Sequence, residues 1–150
     1  MKRDCTELVA EKATELGATR LVPVITDYTA MKRVNVERLK ATVVEACEQC
    51  RRLDVPTVDN PVALRDVLAG WGESDPVLFH LDETGRGKRA GKVFAGVERA
   101  AFLTGPEGGF SESERALIAK TPNTVGLDLG ERILRAETAS IAALALFMCR

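Results

Sequence analysis

Two stretches of this sequence combine residue types that chemistry needs with the backbone freedom to present them. The first is Gly105-Pro106-Glu107-Gly108-Gly109-Phe110-Ser111. Its glycines allow positive φ and let a ligand approach bare backbone amides, while Pro106 stiffens the turn. The stretch leads into a helix whose start is marked by Ser111 and Glu114, the spacing of a capping box. Unpaired amides at such a start favour electron-rich groups. A tight strand-to-helix connection without a ligand would use the same residues, so alone the stretch leaves both readings open. The second runs from Asp128 to Ala139 and sets Arg132 and Arg135 among glycine, apolar side chains and the carboxylates of Glu131 and Glu137. Such charges commonly pair in solvent. Substrate contact becomes the better reading because both stretches follow strands, and ligands of open α/β sheets bind beyond the carboxyl ends of the strands.

Two common nucleotide sites are absent. No Gly-Lys-Ser/Thr follows the glycine-rich stretch, so it is not a phosphate loop, and no Gly-x-Gly-x-x-Gly turn follows an early strand. The glycine-rich loop comes late, which argues against the dinucleotide fold and the Rossmann-type methyltransferases.

The elements that must position these loops alternate between helix and strand. Asp4 and Glu7 resemble a capping box for a first helix, which Gly17 closes. Arg20–Thr26 reads as a strand, with Pro23 removing one ladder donor and marking an edge or an end. Asn35 caps a second helix reaching about Arg52. Val55–Val58 is a short strand, and Asn60-Pro61 opens a third helix ending near Gly70, with proline at its first position. Val77–Leu81 is an apolar strand, followed by a loop holding the basic run Gly85-Arg86-Gly87-Lys88-Arg89. Ala100–Thr104 and Thr124–Leu127 are further strands. Glu137–Cys149 is a helix apolar almost all round, hence buried in the domain or at a subunit contact. This alternation predicts an α/β fold with a parallel sheet covered by helices on both faces, in one domain over residues 1–150.

With 150 residues the chain can bury a core without staples, and no apolar run is long enough to span a bilayer. Nor is there a secretory signal, so the expected location is cytoplasmic. Lys and Arg number 21 against 22 Asp and Glu. A domain that grips nucleic acid unaided is usually basic, so either the partner is not a nucleic acid or another domain does most of the gripping. Cys47 and Cys50 have the spacing of half a zinc site. They lie on the apolar stripe of a helix, however, with no second pair, and read as reduced, buried side chains; no metal is expected. His80 reads as a satisfied residue at a strand end. Glu48, Gln49 and Arg51 face away from the stripe, towards substrate or solvent.

The sequence resembles the RsmE family of the SPOUT superfamily, the 16S ribosomal RNA uridine N3-methyltransferases. The matching stretches are Glu15-Leu16-Gly17-Ala18 with Pro23, Glu45-Ala46-Cys47-Glu48-Gln49-Cys50-Arg51-Arg52 with Val55-Pro56, Leu103–Ser111 with Glu114, and Leu129–Ala139. The resemblance implies a C-terminal trefoil knot, a homodimer, and 16S ribosomal RNA of the small subunit as partner. It implies S-adenosyl-L-methionine as cofactor, bent between the Pro76–Leu81 strand end, the Gly105–Gly109 loop and the Leu127–Thr138 loop. The residues implied to hold it are Leu81, Thr104, Gly105, Pro106, Glu107, Gly108, Gly109, Leu127, Leu129, Gly130, Ile133, Leu134, Glu137 and Thr138. Arg135, and after it Arg132, would stabilise charge on the uracil. Family members carry an N-terminal RNA-binding barrel and a first catalytic-domain strand, so this sequence is expected to be an N-terminally incomplete methyltransferase domain. The stretch Asp27–Lys32 departs from the Arg-Ser-containing segment of the family. A cofactor-binding knotted dimer without turnover, and a methyltransferase with another RNA target, remain the alternatives.

Overall fold

The computed structural model describes residues 3–29, 34–81 and 85–150. In chain order the elements are α1 (Arg3–Glu15), β1 (Arg20–Leu21), β2 (Val24–Ile25), α2 (Val36–Cys50), β3 (Thr57–Val58), β4 (Val62–Ala63), α3 (Leu64–Ala69), β5 (Val77–Leu81), β6 (Lys88–Arg89), α4 (Ala90–Val93), β7 (Ala100–Leu103), α5 (Glu112–Lys120), β8 (Thr124–Asp128) and α6 (Ala136–Met148).

Every strand pairing among the described residues is parallel. β6, β8, β5 and β7 form the main sheet in that order, and β1–β3 and β2–β4 form two short pairs. Because side chains alternate across a strand, consecutive residues of β5 feed two cores. Leu78 packs with Leu103, Leu64 and Leu68 of α3, and Ile118 of α5. Phe79 points to the other face, joining Leu127, Phe94 beside α4 and Ala143 of α6. The Phe79 and Phe94 rings meet edge to face at 5.1 Å. Phe79 is only 1% exposed, and burying such a side chain contributes about 1.5–3 kcal/mol. Helices thus cover both faces, as the sequence predicts.

Helix ends follow local chemistry. Asn35 accepts from the Arg38 amide at the start of α2. Gly17, at φ +86°, ends α1, with the Ala18 amide reaching back to the Ala13 carbonyl. The Arg52 guanidinium donates to the Thr14 carbonyl at 2.6 Å and to Asp54, so α2 is tied to α1. The hydrogen bond from Arg52 holds the Asp54 carboxyl below its ordinary range.

Several sequence expectations are corrected. Asp4 lies inside α1, which is described from Arg3 onward, one residue before the expected cap position. Arg20–Thr26 is two strands, broken at Val22-Pro23; Pro23 has no amide to continue a ladder. Pro61 does not open a helix, because Val62 and Ala63 first pair with β2 and α3 begins only at Leu64. The basic run was expected to be all loop. Instead Lys88 and Arg89 form β6 against Leu127 and Asp128, and α4 follows at once. The expectation for α6, burial in the domain or at a subunit contact, is met within the chain only in part: Ala139, Ser140 and Ala143 are buried, whereas Leu146 and Met148 are exposed.

Candidate active site

β5, β7 and β8 lie side by side and parallel, so their carboxyl ends open on one edge of the sheet. A cleft of about 950 Å³ lies there, within the usual range for small-molecule sites. One wall is the Gly105–Ser111 loop, held by several hydrogen bonds. Ser111 and Glu114 form the full capping box: the Glu114 amide donates to Ser111 Oγ, and the Ser111 amide to Glu114 Oε2. Glu114 Oε1 also accepts from the Asp27 amide at 2.9 Å, and Ser111 Oγ donates to Asp27 Oδ2 at 2.5 Å. The end of β2 is therefore bonded to the start of α5, and this fixes the wall from outside the cleft. Inside the turn, the Gly109 amide donates to the Pro106 carbonyl at 2.8 Å, and Gly109 sits at φ +67°.

The other wall is the loop from Asp128 to Ala136. Asp128 Oδ1 accepts from the Gly130 amide at 2.8 Å, closing a tight turn with Gly130 at φ +125°. Asp128 Oδ2 lies 3.5 Å from Arg89 Nε. At its far end, Arg135 occupies the cap position of α6 in extended conformation without a side-chain cap bond, and its side chain is exposed. Ser140 gives its proton to the Ala136 carbonyl, so Thr104 Oγ1, 2.8 Å away, must donate to Ser140 Oγ. That bond joins the end of β7 to the second turn of α6.

A third segment runs along the edge of the sheet beside β8, at the base of the second wall. A Cβ added to Gly87 would stand 2.8 Å from the Asp128 amide nitrogen and 2.9 Å from the Gly126 carbonyl, so the two backbones touch. His80 is paired in register with Gly126, and its ring fills the space a side chain at 126 would need.

Most of the residues singled out in the sequence meet at this cleft. Leu81, Thr104, Gly105, Pro106, Glu107, Gly109, Leu127, Leu129, Gly130, Arg132, Ile133, Leu134 and Arg135 all line it. Gly108, Glu137 and Thr138 do not. Gly108 is turned towards the Tyr28 side chain, which a Cβ there would meet at 3.2 Å. Glu137 lies in the first turn of α6, where its charge suits the helix dipole. Sequence reasoning missed Arg86, Arg89 and Arg115 as lining residues, and missed Asp128 as the turn-former and Asp27 as the tether of the glycine loop. An Asp-x-Gly signature was available for Asp128; nothing local marks Asp27, whose partners lie more than eighty residues away.

Five arginines line the cleft against the carboxylates of Glu107, Asp128 and Glu131. A domain of near-neutral total charge thus concentrates positive charge at one opening. Leu81, Leu129, Ile133 and Leu134 supply apolar surface beside it, with the buried Leu127 behind them. Such a cleft can hold a ligand with an apolar ring system and a polar end, next to an anionic partner. Cys47 and Cys50 stand apart on α2, Cys47 buried and Cys50 half-buried, and all four cysteines are free. No helix among the described residues is long and apolar enough to cross a membrane.

Comparison with known proteins agrees with this geometry. Ribosomal RNA small subunit methyltransferase E from Rickettsia conorii is 34% identical over 148 residues, 97% of this chain and 59% of that protein. A methyltransferase from Legionella pneumophila, solved in complex with the bound cofactor SAM, superimposes with a TM-score of 0.86 at 30% identity, covering 99% of this chain and 62% of that one. Ribosomal RNA small subunit methyltransferase E from Neisseria gonorrhoeae, bound to S-adenosyl methionine, gives 0.84 at 31% identity, covering 95% and 59%. The chain thus spans about six tenths of these relatives' length, and the resemblance to the RsmE family holds. The family model for the RNA methyltransferase domain matches residues 1–148, and this chain belongs to that family.

Proposed function

We propose that the protein of which this chain is the catalytic part transfers a methyl group from S-adenosyl-L-methionine to N3 of a uridine in 16S ribosomal RNA, in the cytoplasm. The observation that carries the reading is the meeting of the Gly105–Ser111 and Asp128–Ala136 loops across one cationic, partly apolar cleft. A relative is named a ribosomal RNA small subunit methyltransferase, and two structures of similar fold hold this cofactor.

The cleft residues fit the cofactor. Leu127, Leu129, Ile133 and Leu134 suit its adenine, amides of the Gly105–Gly109 loop suit its polar groups, and the carboxylates suit its ammonium. When bound, it supplies an electrophilic methyl on a sulfonium. The chain's own contribution is to position and to stabilise. In-line displacement rewards fixed geometry, which the tethered glycine loop provides. As the N3 proton leaves, negative charge grows on the uracil ring, and the Arg135 guanidinium, projecting from the cap position of α6, is the donor aimed at it. Arg132, further out on the same loop, is the second. The apolar loop residues keep water from the reacting centre.

Two structural features belong to the same reading. The trefoil knot is implied by the resemblance to the RsmE family, and the close seating of Gly87 on the Gly126–Asp128 backbone beside the β6–β8 pairing is compatible with it. The exposed Leu146 and Met148 on α6 support a homodimer. The domain carries the methyltransferase site, and the expected N-terminal barrel would grip the RNA. Small ribosomal subunits from a strain lacking the enzyme, treated with the full-length protein and cofactor, should gain one methyl on N3 of a single uridine. No methylation, or a methyl elsewhere, would overturn the assignment.

A further inference from the structure

A track of cations leaves the cleft along β6 and α4. Arg86 and Arg89 line the cleft, while Lys88, Arg89 and Lys92 line a second groove of about 580 Å³ between α4 and the sheet. Arg89 belongs to both, so the two cavities adjoin. All four side chains are exposed, and the sequence from Gly85 to Val97 holds no Asp or Glu. Among the described residues Arg86, Lys88 and Lys92 form no salt bridge, and Arg89 reaches only Asp128, at 3.5 Å. The track is also held in place: Lys88 and Arg89 pair with β8, and Gly87 seats the segment directly on the β8 backbone.

We propose that this track binds the phosphate backbone of the RNA strand that flanks the nucleotide in the cleft. The inference rests on the RNA methyltransferase reading and adds the path of the strand. A strand that sends one nucleotide into the cleft must carry its neighbours over the rim, where Arg86 and Arg89 stand, and Lys88 and Lys92 continue the line of cations into the adjoining groove. Exposed lysines and arginines bind phosphates as point charges or forks and release counterions, whatever the base sequence. An acidic protein segment is the competing partner, but continuity with the cleft favours RNA.

The test uses the full-length protein and a labelled single-stranded, uridine-rich RNA oligonucleotide, with affinity measured across a range of salt concentrations. K88A/K92A should flatten the log–log salt dependence by about 1.4, from two lost contacts at about 0.7 each on a single strand. K88R/K92R should keep the original slope, and all three proteins should bind S-adenosylmethionine equally. An unchanged slope in K88A/K92A with intact cofactor binding would overturn the track alone. An acidic peptide competing as well as the RNA would overturn the choice of partner. Wild-type protein that binds no cofactor would instead refute the methyltransferase reading beneath it.

Discussion

The two loops that form the cleft are held in different ways. The Gly105–Ser111 loop is bonded at its helix end to Asp27 and Glu114, closed internally at Gly109, and buried at Gly109, Phe110 and Ser111. The Asp128–Arg135 loop is fixed at its base by the Asp128–Gly130 turn and at its end by α6. Between them Glu131, Arg132 and Ile133 are exposed, and Ile133 is 83% so. Side chains of Arg132, Ile133 and Arg135 take no hydrogen bond or ion pair among the described residues. One loop is a preorganised wall that presents backbone. The other keeps its arginines uncommitted, so a ligand does not have to break an internal ion pair to engage them.

The contrast breaks most severely at the base of the second wall, where the Gly87 segment lies against β8. Gly87→Val should push a side chain into the Gly126–Asp128 backbone, which cannot move aside cheaply. Loss at or beyond the upper end of core overpacking, about 3 kcal/mol, is expected in denaturant unfolding. A variant as stable as wild type would show that the contact is loose.

Arg135→Ala comes next and should separate chemistry from stability. The side chain is exposed and without a partner, so unfolding should change by less than about 0.5 kcal/mol. Single-turnover methylation should slow about a hundredfold or more, with cofactor affinity nearly unchanged. Lysine should restore only part of the rate, because it lacks the planar fork. A wild-type rate in Arg135→Ala would pass the role to Arg132.

Ser111→Ala should do the reverse. It removes the cap and the bond to Asp27, costing about 1 kcal/mol of stability and loosening the glycine loop, so cofactor affinity falls with it. The smallest structural effect belongs to Ile133→Ser, which should leave the melting temperature nearly unchanged yet weaken cofactor binding measurably. If stability and affinity fell together in Ile133→Ser, the open loop would be more tightly packed than its exposure indicates.

What was legible in the sequence was whatever local pattern dictates. Ser111 with Glu114, the apolar run Val77–Leu81 and the late glycine loop announced a capped helix, a strand in the sheet and an opening at the strand ends; the helix, the strand and a cleft at that place are all present. The errors arose where tertiary pairing overrode local preference. Pro61 looks like a helix start, but β2 draws the next two residues into a ladder. Gly108 looks interchangeable with its neighbours, but it is turned towards Tyr28, a packing that spacing alone does not reveal. Asp27 and Arg89 could not be found by spacing, since their partners are distant in sequence. The expectations of a knot and a homodimer rest on family resemblance, because periodicity carries no information on threading or on a second chain.

The central claim, that these two loops make one cofactor site, is tested most directly by calorimetric titration of the folded full-length protein with S-adenosylmethionine. The account predicts saturable binding at one site per chain, competed by S-adenosylhomocysteine and weakened by both Ser111→Ala and Ile133→Ser, one variant from each wall. A folded protein that gives no binding heat at several temperatures, or binding indifferent to both substitutions, would contradict it.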